Sequence, residues 1–329
     1  MSRTTVLSDT RLYLLVFTVL LMTVFQIGNS NFLSAKNIFE LLKSNSYMVI
    51  MSMAMLVVII SGGIDISICP IAASAEYLMA WMISKNSEIK PIIVFVAPIL
   101  LALCLGSLNG FLVQKLKVPP MIVTISTMNI YYGVLQLLSA GNSIYVFPEW
   151  FKKLGAANIF SFIDKNGFSS GLSLLTVFCA ATVLITFLML SKTKIGRQIC
   201  AIGGNQQAAS RVGISLKKLH LVVYGFSGLL CGIAGVVHGL SAQYVMPSVL
   251  FGQEMLIIAA IALGGANLLG GFGTVSGTIM GVVIIRCITS GLTLLRVSSY
   301  WQDAILGFVI LASIVIGAAK SVMCRRKKQ

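Results

Sequence analysis

Long apolar runs separated by short polar segments make up most of this chain. A helix needs roughly 20 residues to cross about 30 Å of hydrocarbon. Runs of that order stand at 11–28, 46–62, 67–84, 91–114, 120–140, 170–190, 219–240, 253–270, 272–294 and 300–319. They predict an all-α polytopic membrane protein with about ten transmembrane helices. The stretch 46–84 is nearly continuous and only the polar break at Gly62 to Ser67 divides it, so a broken or re-entrant element is expected near 61–67. No A-x-A cleavage site follows the first run, which reads as a span and not as a signal peptide.

The polar remainder is small. Residues 29–45 carry Phe32, Leu33, Ile38, Phe39, Leu41 and Leu42, with Asn31 or Ser34 as a cap, and predict a short amphipathic helix at the outer interface. Residues 141–168 contain Trp150, Phe151, Phe160 and Phe162 and are expected to fold back onto the membrane surface. The segment 191–218 bears Lys192, Lys194, Arg197, Arg211, Lys217 and Lys218 and no acidic residue. No extramembrane stretch is large enough for a catalytic domain, so one transmembrane domain over 1–329 is expected, and no enzyme. An apolar stretch runs into a Gly-Gly pair twice, in "AMLVVIISGGIDIS" before residue 67 and "EMLIIAAIALGGAN" before 267, which suggests a parallel internal repeat.

Composition agrees: 57% of residues are hydrophobic and 10% charged, against about 25% charged in a soluble domain. The formal charge of +15 lies in clusters between apolar runs, the pattern of the positive-inside rule and not of nucleic-acid binding. With the N-terminus in the cytoplasm, fifteen of the 24 basic residues fall inside, eight outside, and Arg286 within a span. Both termini and 191–218 are then cytoplasmic. Cys104, Cys179, Cys231 and Cys287 lie in apolar runs without metal spacing, so no disulfide framework and no metal site are expected.

Ionisable groups at membrane depth are costly and usually functional. They are Asp65, Glu76, Glu254, Arg286 and Asp303. Asp65 follows Gly62 and Gly63, and unwound backbone at that depth is tolerated only around a cavity or inside protein. It reads as a gate or substrate contact, or as a cap on the next helix. Glu254 and Asp303 are expected at exposed span ends. Glycines at Gly225, Gly228, Gly232, Gly235 and Gly239, and at Gly273, Gly277 and Gly281, read as close helix packing. The run "LGGANLLGGFG" lacks the Lys-Ser/Thr of a phosphate loop, so no ATP site and no cofactor are expected in this chain. Within 191–218, Asn205 predicts an N-cap, Gln206–Arg211 a short helix, Gly213 its stop, and Gly203 and Gly204 the turn into it. From the residues alone, a docking helix and a loop facing lipid headgroups both remain open.

"SGGIDIS" (61–67), "VPPMIVTISTM" (118–128), "GRQICAIGGNQQAASRVGIS" (196–215), "IAAIALGGANLLGGFGTVSGTIMG" (258–281) and "SSYWQDAILGFVILA" (298–312) occur in order. Together they resemble permease subunits of bacterial ABC importers for ribose, other monosaccharides and autoinducer-2, within the branched-chain-type permease superfamily. The resemblance implies sugar import across the bacterial inner membrane by alternating access. It implies a second permease copy or homologue, a cytoplasmic ABC ATPase that binds the ATP, and an extracytoplasmic sugar-binding protein. It favours ATPase coupling for Arg197, Gly203, Gly204, Asn205, Ala208, Arg211 and Gly213. Asp65, Thr124, Thr127 and Asn129 are the expected substrate pathway or gate. The chain departs from many members at Cys69, where Gly is common, and at Tyr132, where Arg often precedes the glycine. An ion-coupled secondary transporter using Asp65, Glu254 or Asp303 is the alternative, and it lacks a midspan carboxylate pair. An intramembrane enzyme built on His220 and His238 lacks the accompanying nucleophile or carboxylate constellation.

Overall fold

The computed structural model describes residues 3–86, 89–163, 169–309 and 311. Its helices are α1 (Arg3–Gly28), α2 (Ala35–Ser44), α3 (Ser46–Ile60), α4 (Ile68–Lys85), α5 (Pro91–Leu116), α6 (Pro120–Ser139) and α7 (Glu149–Ala156). A hairpin of β1 (Asn158–Ile163) and β2 (Ser169–Ser173) follows. Then come α8 (Leu174–Lys192), α9 (Lys194–Gly204), α10 (Gln206–Arg211), α11 (Leu216–Ala242), α12 (Gln253–Leu263) and α13 (Val275–Leu294).

Local chemistry sets these boundaries. Pro91 and Pro120 open α5 and α6, where a missing N–H and a fixed φ suit the first helical position. Ser34, Ser173, Thr193, Asn205 and Thr274 each accept a backbone N–H at a helix start. The caps place α2 where the amphipathic helix is expected, with Ser34 rather than Asn31 as the capping residue.

Five helices, α5, α6, α8, α11 and α13, are long and apolar enough to cross a membrane among the described residues. The α2–α3 pair, bent by 46°, makes six if it is one span. The chain is therefore an all-α polytopic membrane protein in its membrane part. Two expected spans are shorter than their apolar runs suggested. With 15 and 11 residues, α3 and α12 reach about 22 and 16 Å before Gly-rich breaks stop them. Of the expected span 300–319, residues 310 and 312–319 lie outside the described residues, as do Lys165 and the basic C-terminal cluster.

At the centre stands α3, apolar all round, with fourteen of its fifteen residues buried. A helix without a polar face belongs inside a bundle, and α11, α8, α13 and α12 surround it. The outer helices keep large apolar side chains exposed, among them Leu20 on α1, Leu100 on α5, Leu138 on α6 and Phe178 on α8. These match a hydrocarbon surrounding. After α6, α7 packs against the bundle: Phe151 is buried, and Trp150 meets Phe95 of α5 edge-on at 6.2 Å, while 164–168 lie outside the described residues. The β1–β2 hairpin in this region is an element that the sequence pattern did not reveal.

Small residues let the central helices touch. A Cβ at Gly228 of α11 would overlap Ala102 O and meet the Gly106 backbone of α5, and one at Gly235 would overlap Ala72 O of α4. The glycine spacing thus means close packing, as expected. Gly228→Val should force α5 and α11 apart. Overpacking of this kind costs about 1–3 kcal/mol, and a thermal unfolding scan in detergent should show a midpoint lowered by several degrees. An unchanged midpoint would mean that the crossing tolerates a side chain.

Candidate transport element and coupling surface

Between α3 and α4 the backbone leaves helix from Ser61 to Ser67, at the break expected from the Gly-Gly pair. Asp65 is fully buried there. Its Oδ1 accepts the Ser67 N–H at 3.0 Å and the Ser67 hydroxyl at 2.5 Å, closing a tight turn at the start of α4. Asn109 of α5 donates to Ser67 Oγ at 2.6 Å, and Tyr131 of α6 donates to Asn109 Oδ1 at 3.0 Å. A one-directional chain of hydrogen bonds therefore runs from α6 through α5 to the carboxylate. Asp65 Oδ2 and the nearby Tyr224 hydroxyl have no partner among the described residues.

Thr124 braces the same turn from α6. Its hydroxyl donates to Ile64 O at 3.0 Å and accepts the Ile66 N–H at 3.3 Å. Two backbone groups freed by the break are thereby satisfied, as groups at membrane depth must be. Thr127, one turn on, is buried and donates to Thr124 O at 3.3 Å. Asn129 lies apart from the break, exposed on α6, with its amide on Ile125 O. Asp65 and Thr124 thus come together, Thr127 supports them from behind, and Asn129 faces away.

The basic segment folds as two short helices. Asn205 Oδ1 accepts the Ala208 N–H at 3.0 Å, α10 spans the expected six residues, and Gly213 ends the turn with φ +86°. Arg197, Asn205, Ala208, Arg211 and Gly213 are exposed. Gly203 and Gly204 differ from expectation, because they form the last turn of α9 and not a free turn. Gly203 sits against the membrane core of its own chain. A Cβ there would overlap Ile60 O and approach Gly271 N, whereas a Cβ at Gly204 meets nothing within 4 Å. The Gly271 N–H also donates to Ile60 O at 2.8 Å, and Gly62 and Gly270 close the joint with φ +89° and +97°. Backbone from α9, from the break and from the α12–α13 connection therefore meets with no side chain between.

The two Gly-Gly helix ends share one cap. Ser61, Gly62 and Gly63 donate to Val57, Ile59 and Val58, and Gly264, Gly265 and Ala266 donate to Ala260, Ala262 and Ile261. The left-handed position is Gly62 in one and Gly265 in the other, with φ +89° and +82°. The structural match is shifted by one residue from the pairing of the two Gly-Gly pairs.

Other intramembrane charges have partners that sequence did not indicate. Fully buried Glu76 meets His238 Nδ1 at 2.8 Å. Tyr47 stacks edge-on against that imidazole at 4.6 Å and accepts a bond from Arg286 at 2.8 Å. Glu254 is buried at the start of α12 beside Cys69, against the expectation of an exposed span end, while Asp303 is exposed. The difference arises because α12 starts inside the bundle against α4 and not at an interface.

A helical bundle in the membrane, with a polar backbone break at its centre tied to an exposed helix pair, is the architecture of a membrane transport protein. Residues 37–314 match the family described as branched-chain amino acid transport system / permease component, and the chain belongs to that family. It is a transport permease and not an enzyme. It is 33% identical over 302 residues to the ribose import permease protein of Bacillus subtilis (strain 168), covering 92% of this chain and 91% of that protein. The ribose import permease protein of Escherichia coli (strain K12) is 30% identical over 307 residues, with 93% of each chain covered. The autoinducer 2 import system permease protein of Photorhabdus luminescens is 31% identical over 284 residues, with 86% of this chain and 82% of that protein covered. No solved structure matches the chain.

Proposed function

We propose that this chain is the transmembrane subunit of an ATP-driven importer that carries a monosaccharide or sugar-like small molecule into the cytoplasm by alternating access. The names of its relatives, which import ribose and autoinducer 2, support the solute class. Its partners in this reading are a second permease copy or homologue, a cytoplasmic ATPase that binds the ATP, and an extracytoplasmic binding protein. Ten crossings with both termini in the cytoplasm are consistent with three contacts. Gln114 at the end of α5 meets His220 at the start of α11, Ile144 after α6 bridges Val245 after α11, and Gly203 meets Ile60 at the end of α3.

The observation that carries the mechanism is the backbone joint at Gly203, Ile60 and Gly271. In this reading the ATPase engages the exposed face of α9 and α10 through Arg197, Asn205, Ala208 and Arg211. Displacement of α9 then bears directly on the end of α3 and the break beside it. Asp65 and Thr124 hold the break in one arrangement, Thr127 steadies Thr124, and Asn129 lies on the α6 face open to a second permease. The Asp65 oxygen that has no partner among the described residues has a cost in this arrangement that a second arrangement can relieve. Affinity resides in the binding protein.

Reconstitution separates this reading from an ion-coupled carrier. In liposomes the chain alone should show no uptake under a proton or sodium gradient, and uptake of ribose or a relative should need the ATPase, ATP and the binding protein together. Gradient-driven uptake by the chain alone would overturn the proposal.

A further inference from the structure

One intramembrane cation, Arg286, has no carboxylate partner among the described residues. Arg286 lies on α13 eight residues, or about 12 Å, before the helix end at Leu294. Its Nε donates to Met48 Sδ and an Nη to Tyr47 Oη, both at 2.8 Å, and the guanidinium stands 5.6 Å from the Tyr47 ring. These contacts aim the group but do not neutralise it. Arg286 belongs neither to the Lys152–Glu149 pair nor to the Glu76–His238 contact. A bare cation in a span needs an anion or a route to the interface.

Arg286 lies where two cavities adjoin. A polar one of about 410 Å³ between α2 and α13 is lined by Asn37, Asn45, Thr289, Ser290 and Thr293 as well as Arg286. An apolar one of about 180 Å³ shares Leu41, Asn45 and Arg286 with it and continues past Met22, Val49, Cys179 and Val283. The amphipathic α2 that roofs both has no buried residue, and its Ile38 and Leu42 stay exposed. Hydroxyl and amide groups beside a guanidinium suit a phosphate, whose oxygens accept several N–H bonds at once. The greasy continuation suits a hydrocarbon chain.

We propose that a phospholipid occupies the joined cavities, its phosphodiester on Arg286 and an acyl chain between α2, α8 and α13. The lipid supplies the missing charge and covers the apolar side of α2. The proposal depends on the chain lying in a bilayer and not on which solute it transports.

The test uses the full chain purified in mild detergent, with phosphatidylglycerol as probe. Wild type is expected to hold the lipid in native mass spectrometry and to melt at higher temperature when it is added. Sodium phosphate at equal concentration should give no shift. Arg286→Gln should weaken lipid retention by about tenfold, the loss of one charge-assisted contact, while Arg286→Lys should keep most of it. Val283→Trp fills the apolar cavity with the arginine intact and should also lose the lipid. Wild-type retention by Arg286→Gln or by Val283→Trp would overturn the proposal. Full stabilisation by sodium phosphate would also overturn it, and would make the site one for a free anion.

Discussion

Gly203→Val is expected to insert normally and to lose nearly all ATP-driven uptake, while Gly204→Ala transports at close to the wild-type rate. The two glycines are adjacent in one helical turn but have different surroundings. A side chain at Gly203 overlaps the Ile60 carbonyl and crowds the Gly271 amide that donates to it, whereas Gly204 has open space. Relief requires α9 to back away from the end of α3, at a cost of about 1–3 kcal/mol. The bundle, which packs elsewhere, tolerates that amount. In the proposed mechanism the joint does not, because its contact is what connects α9 to the break. Proteoliposomes with the ATPase and the loaded binding protein should show uptake reduced at least about tenfold, with ATP hydrolysis no longer stimulated. The reverse ranking, with Gly204→Ala defective and Gly203→Val active, would mean that these glycines matter only through the partner.

The second large effect is expected from Asp65→Asn. Asparagine keeps the volume of the buried side chain and an oxygen for the Ser67 N–H, but it removes the charge that strengthens the bonds from Ser67. It also puts an NH2 where Oδ2 has no partner among the described residues. A hydrogen bond to a charged group contributes about 1.5–3 kcal/mol, so destabilising the turn by that amount corresponds to roughly a tenfold to hundredfold loss in uptake rate. The half-maximal concentration should stay within about twofold, because the proposed mechanism leaves recognition mainly to the binding protein. Uptake measured over a series of pentoses and hexoses decides the matter. A variant with the wild-type rate and an altered sugar preference would make Asp65 a selectivity contact and not part of a switch.

What sequence could show here depended on range. Asn205, Gln206–Arg211 and Gly213 were legible as cap, helix and stop because each signal acts within a few residues. The break at 61–67 was legible because paired glycines in an apolar run leave few alternatives. By contrast, His238 is 162 residues from Glu76, and Arg286 is 239 from Tyr47. Neither pairing leaves a local trace. Span lengths misled for a related reason: hydropathy continues through "LGGAN" past Leu263, so the apolar run outlasts α12. Glu254 reads as an interface residue because it stands at the start of the apolar run, and packing of α12 against α4 buries it instead. The family resemblance implies a coupling role for Gly203, but only the fold reveals that it touches Ile60.

The twice-used helix cap separates the shape of a helix end from its chemistry. Matched through their left-handed glycines, Gly62 and Gly265, the two ends place Asp65 opposite Leu268 and Ser67 opposite Gly270. One end thus carries a carboxylate and a hydroxyl where the other carries an isobutyl group and a hydrogen, on a backbone bonded in the same way. The same bend thus serves two ends with different surroundings: the first is the polar turn, and the second is the surface against which that turn and α9 are seated. Left-handed backbone is open to few residues other than glycine, so the side chains that follow each glycine can differ widely while the bend stays the same.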